Sequence, residues 1–161
     1  MSHEHRELYQ QVIIDHGKHP KNFHEMAQPS IKRVGHNPLC GDKLVLFIQL
    51  DPEKNKILDI SFQGEGCAIS MASSSLMTEA VKGLKIEDAL KLFTGVHELV
   101  TGGSQGLSDE GLEEKLGKLA VLSGVSAYPA RVKCASLAWQ VLKAGLSEKD
   151  KDQIDQEVRT E

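Results

Sequence analysis

The chain has 161 residues, 40% hydrophobic and 26% charged, with a formal net charge of −4. That length fits one domain with a core of its own, and the mild acidity argues against the broad basic surface that nucleic acid binding requires. No segment carries the roughly 18–20 uninterrupted apolar residues of a membrane span, and MSHEHRELYQ lacks the apolar stretch of a secretory signal, so the expectation is a cytoplasmic protein with neither nucleic acid nor membrane as partner.

Leu8, Tyr9, Val12 and Ile13 share one face of a short helix ending near Gly17 and Pro20. From Lys18 to Pro38 the breakers Pro20, Asn22, Pro29 and Gly35 predict an irregular, surface-running segment, although the part just before Cys40 could pair with a strand. Leu44, Leu46, Ile48 and Leu50 alternate with Lys43, Val45, Phe47 and Gln49, which is the period of a strand. A turn over Asp51–Lys56 and a second extended run at Ile57, Leu58, Ile60 and Phe62 complete an antiparallel hairpin. The bend Gln63-Gly64-Glu65-Gly66-Cys67 lacks the lysine and hydroxyl of a phosphate loop.

Leu76, Met77, Ala80, Val81 and Leu84 then keep helical spacing up to about Gly83, with Ser73, Ser74 and Ser75 near the start. Ile86, Ala89, Leu90 and Phe93 mark a second helix, whose aromatic belongs to the core. Five glycines between Gly95 and Gly111 predict a long loop. Leu112, Leu116, Leu119 and Ala120 make another apolar face, Val125–Pro129 is a break, and Leu137, Ala138, Val141 and Leu142 define a last helix ending near Gly145. Residues 147–161, mostly charged, read as a frayed helix or disordered tail after a single domain at 1–146. The predicted fold class is α+β: a small antiparallel sheet of two or three strands packed against helices.

Cys40, Cys67 and Cys134 are odd in number and widely spaced, so they make no disulfide framework. Isolated cysteines are by default small buried hydrophobes. Here, however, each is predicted at a junction: Cys40 before a strand, Cys67 between strand and helix, Cys134 opening the last helix. A thiol at a helix N-terminus ionises more readily, and in extended chain Cys40 and Asp42 would point to the same side across Gly41. Intervals of 27 and 67 residues lack the paired Cys-x-x-Cys of common zinc sites, so spacing alone leaves a metal site and three structural thiols both open. His16, His19, His24, His36 and His97 lack ligand spacing, and Tyr128 and Trp139 read as packing aromatics.

The blocks LYQQVIIDHGKHPKNF, NPLCGD, GEGCAISMASSSLMTEAVKG and ARVKCASLAW, in unbroken order from about Leu8 to Leu146, resemble the SufU and IscU proteins, the NifU-like family of iron–sulfur cluster assembly. The resemblance implies zinc held by Cys40, Asp42, Cys67 and Cys134, with Cys40 accepting persulfide sulfur from a SufS-type cysteine desulfurase of the SUF assembly machinery. IscU scaffolds carry a histidine where this chain has Lys133, and their last two cysteines are closer together; both departures are similar to the SufU branch. The alternative is an IscU-type scaffold, which would hold iron or an iron–sulfur cluster on the same residues. Arg131 corresponds to a SufU arginine expected to face the desulfurase, and Lys133 could offset the negative charge of the ligands.

Overall fold

The computed structural model describes residues 3–38, 41–101, 116, 119–147 and 156–159. Its sheet has the order β3-β2-β1-β4, built from β1 (Ile31–Asn37), β2 (Asp42–Leu50), β3 (Ile57–Glu65) and β4 (Gln156–Arg159). The first three strands are antiparallel, and β4 runs parallel to β1. The β2–β3 hairpin forms where expected, its turn fixed by the Asp51 carboxylate, which accepts the N–H groups of Asn55 and Lys56 at 2.8 and 3.0 Å.

β1 forms at the end of the Lys18–Pro38 segment, the part for which pairing and irregular chain were both open. Its buried side consists of Ile31, Arg33, Gly35 and Asn37, so the alternation is real but three of the four inward residues are not apolar. A hydrophobic period cannot reveal a strand whose core face is polar and small. The preceding stretch is irregular yet tethered: Asn22, at φ 57°, accepts the N–H of Phe62 at 3.0 Å and donates its amide to Thr78 Oγ1 at 3.1 Å.

Directly paired residues of neighbouring strands project to the same side. The register therefore aligns Ile31 with Ile48 and Ile60, Arg33 with Leu46 and Phe62, and Gly35 with Leu44 and Gly64 on one face. At the end of that row Asn37 pairs with Asp42. The helices α2 (Ala68–Val81) and α4 (Pro129–Ser147) cover this face, α1 (His3–Lys18) packs on α2, and α3 (Ile86–Thr101) packs on α4. Fully buried Phe62, Ile48, Met77, Leu92, Leu137, Trp139 and Leu142 join these layers, each large apolar side chain contributing about 1.5–3 kcal/mol by its removal from water.

α4 runs antiparallel to β1. A Cβ on Gly35 would lie 2.3 Å from Val141 Cγ2 and 3.1 Å from Leu137 Cδ1, and a Cβ on Gly145 would lie 3.2 Å from Ile31 Cγ2. The two glycines let the backbones approach closely. α2 is locked to the same helix by the Ser73 hydroxyl, which donates to the Ala135 carbonyl at 2.6 Å. On its other side, the Ser75 hydroxyl meets His16 Nδ1 at 2.7 Å and accepts the Lys21 N–H at 2.8 Å, which seats α1.

Several boundaries differ from the sequence expectation. α3 continues through buried Gly95 to Thr101, because Val96 and Val100 extend the apolar stripe of Leu92 and Phe93 at helical spacing. The rest of the glycine-rich loop lies outside the described residues. Leu116 and Leu119 are helical and buried, and a 3-10 helix at Ala120–Ala127 precedes α4. In the tail, Gln156–Arg159 pair with Arg33–His36 as β4 instead of fraying. Trp139 is core as expected, whereas Tyr128, at the junction before α4, is 64% exposed.

Gly35→Ala should cost about 1–3 kcal/mol through overpacking, lowering the urea midpoint without changing the slope of the transition. Val141→Ala in the same chain should recover part of that loss. A Gly35→Ala protein as stable as the parent would mean that close contact at this position does not seat α4.

Candidate metal centre

Three elements end at one point. β2 begins with Asp42, fully buried on the helix-facing side. β3 ends at Glu65, paired with Lys43, so the next residues pass directly over Asp42. Gly66 fits there because it has no side chain: a Cβ would sit 2.4 Å from Asp42 Oδ1. Cys67 follows as the N-cap of α2, its sulfur accepting the Ser70 N–H at 3.5 Å while its own N–H donates to Asp42 Oδ1 at 2.9 Å. α4 contributes Cys134, fully buried, from the turn that lies against the end of β1.

A carboxylate oxygen of Asp42 and the sulfurs of Cys67 and Cys134 all lie within 4.8 Å of one another. In a tetrahedral zinc site, bonds of about 2.0–2.3 Å set ligand atoms about 3.3–3.8 Å apart, so the trio needs a contraction of only about 1 Å to close on an ion. Two thiols and one carboxylate are donors that zinc accepts. Cys40, the fourth predicted ligand, lies outside the described residues. No described histidine joins the group.

Of the two described cysteines, one sits differently from its predicted place. Cys67 caps α2 as expected. Cys134 does not open its helix: α4 starts at Pro129, since proline suits the first turn, and Cys134 lies more than a turn inside. Its sulfur is served by side chains instead. The extended Cys40–Asp42 geometry also fails at Gly41, whose φ of 71° turns the chain in a conformation that glycine adopts freely.

Arg131, one helical turn before Cys134 and exposed, reaches the two sulfurs from the solvent side. A hydrogen bond to Cys134, followed by the charges of Cys67 and Cys134, holds its guanidinium above its ordinary range. It is therefore a permanent cation beside the thiols, not a pH switch. Lys133 is half-buried and lies about 100° round the helix from Cys134. Among the described contacts none joins it to the cluster.

Two residues at the centre have no counterpart in the sequence reading. Gly66 was visible only as part of a glycine-rich bend, and its role depends on what lies beneath it. Asn37, buried on β1, directs Nδ2 toward Asp42 Oδ2 at 3.5 Å and Cys134 Sγ at 3.8 Å. A buried asparagine ending an alternating strand signals a polar site, but only once the strand is recognised.

The NifU-like N terminal domain family matches residues 8–135. The chain belongs to that family. Among relatives, this NifU-like chain is 41% identical over 143 residues to the zinc-dependent sulfurtransferase SufU of Bacillus subtilis, a match covering 89% of this chain and 92% of the relative. It is 39% identical over 139 residues to the iron–sulfur cluster assembly scaffold protein IscU of Streptococcus pyogenes serotype M1, covering 86% and 82%. A crystal structure from Fervidobacterium islandicum, described as a candidate iron–sulfur cluster assembly scaffold for the SUF system, superposes with a TM-score of 0.77 at 32% identity, covering 88% of this chain and 98% of that one.

Gly66→Ala should displace the Asp42 carboxylate and lower zinc affinity about ten-fold or more, as disturbance of groups around a metal usually does. Competition with a chromophoric chelator measures this. Gly124→Ala, where a Cβ meets open space, is the control that should retain parental affinity.

Proposed function

We propose that the chain is a zinc-dependent sulfur carrier of iron–sulfur cluster assembly, which takes persulfide sulfur on Cys40 from a SufS-type cysteine desulfurase. The observation that carries this reading is the convergence of Asp42, Cys67 and Cys134 from three different elements within 4.8 Å. Chain length supports Cys40 as the fourth ligand: two residues from Asp42, its Cα lies within about 7 Å of the Asp42 Cα whatever the local conformation. The zinc-dependent relative and Lys133, in place of the histidine of the scaffold type, favour zinc over a cluster.

Bound zinc would supply positive charge that keeps sulfur ligands deprotonated without redox chemistry of its own. The transfer itself belongs to Cys40. Its thiolate attacks the terminal sulfur of the desulfurase persulfide, the new S–S bond forming as the old one breaks. The electron pair leaves with the desulfurase cysteine, so no external oxidant is required. Asp42, Cys67 and Cys134 stay behind on fixed backbone, and Arg131 presents a cation at the rim for the incoming persulfide anion.

The relatives named as IscU scaffolds favour a second reading, in which the same residues hold an assembling cluster. Purified protein separates the two. The sulfur-carrier reading expects about one zinc per chain at a four-ligand site and a colourless solution; labile iron and sulfide with a brown spectrum would support the scaffold. Incubation with desulfurase and cysteine should add the mass of one sulfur atom at Cys40 and stimulate desulfurase turnover. Cys40→Ser should abolish both, and turnover that persists in that variant would remove the assignment.

A further inference from the structure

From the placement of Asn37 we infer that its carboxamide is a positioning residue for the metal centre, donating to Asp42 and Cys134 from the protein side. This rests on the reading that those residues hold zinc. Asn37 is the last residue of β1, fully buried, and paired in register with Asp42. Both side chains therefore project to the helix-covered face, and Nδ2 stands 3.5 Å from Asp42 Oδ2 and 3.8 Å from Cys134 Sγ. These are long contacts, electrostatic in character, from one NH2 group to two different donor atoms.

The charge of the site explains the residue type. Three thiolates and a carboxylate carry four negative charges against two on zinc. On the exposed side Arg131 offsets part of the excess. A second full cation on the buried side would carry a desolvation cost of several kcal/mol, whereas a neutral amide supplies two polarised N–H groups at a smaller one. It also fixes geometry. Asp42 Oδ1 is held by the Cys67 N–H at 2.9 Å, and Asn37 is the donor at Oδ2, so the carboxylate plane is set from both ends before any ion arrives. Cys134, too far inside α4 to use the helix N-terminus, gains from the same amide the hydrogen bonding that a thiolate needs.

Asn37→Leu keeps the shape and removes the donors, Asn37→Asp keeps the shape and adds a negative charge, and Asn37→Ser keeps one donor with shorter reach. Zinc affinity by chelator competition should fall in the order parent, Ser, Leu, Asp, with Leu about 10–100-fold weaker than the parent. Cobalt-loaded Asn37→Leu should also move its sulfur-to-metal charge-transfer band to longer wavelength, since a thiolate that loses a hydrogen bond is easier to oxidise. A merely structural asparagine would not shift that band. Where a variant fails to fold, the parent still decides: on loading with cadmium, the Asn37 side-chain NH2 resonances should move and become protected from exchange. Parental affinity with an unchanged cobalt spectrum in Asn37→Leu, or Asn37 resonances indifferent to loading, would overturn the inference. Failure of the parent to bind any metal would instead overturn the metal-site reading itself.

Discussion

The close approach of α4 to β1 determines where everything else falls. With no side chain at Gly35, Val141 and Leu137 settle directly on the strand, and the helix lies along its length. Once that contact is made, the remaining pairs follow: Gly145 beside Ile31 and Arg33 at one end, Cys134 beside Asn37 at the other. The pleat adds the second constraint, since side chains alternate and Asn37 and Asp42 must share the face that α4 covers. Cys134 thus reaches Asp42 through backbone packing, with no direct link between the two residues in sequence.

The other sulfur arrives by a different route. β3 must end level with the start of β2, because Lys43 pairs with Glu65, and the chain then needs to cross Asp42 to begin α2. Without a Cβ, Gly66 makes that crossing with the Asp42 carboxylate undisturbed. Cys67 then caps the helix, and its N–H turns back to the carboxylate it has just passed. One hydrogen bond couples the helix start to the strand start, so a displacement of Asp42 disturbs the backbone that presents Cys67. The carboxylate is a structural joint as well as a candidate donor.

How much of this was legible beforehand depended on whether the signal was apolar. The hairpin, α2 and the last helix were readable because Leu44 to Leu50, Leu76 to Val81 and Leu137 to Leu142 repeat at strand or helix period. β1 was left open, since Arg33, Gly35 and Asn37 occupy its inward positions, and the same polar identity that obscures the strand equips its end for the site. The start of α4 was placed too late because Ala130, Arg131 and Lys133 give its first turns no apolar stripe. β4 was missed because its partner edge had been left open. The candidate ligands were identifiable from their motifs, but Gly66 and Asn37 act through what faces them across the sheet, information that pairing creates and sequence order does not contain.

The asymmetry of the site follows from the same layout. Asp42, Cys67 and Cys134 are carried by a strand, a helix cap and a helix interior, each tied into the core by hydrogen bonds or packing. On the open side Gly41 adjoins Asp42 with a left-handed φ, and a Cβ there would meet nothing within 4 Å. The three described donors are held from the other side, by the sheet and the helices, so displacing any one of them would require moving a strand or a helix.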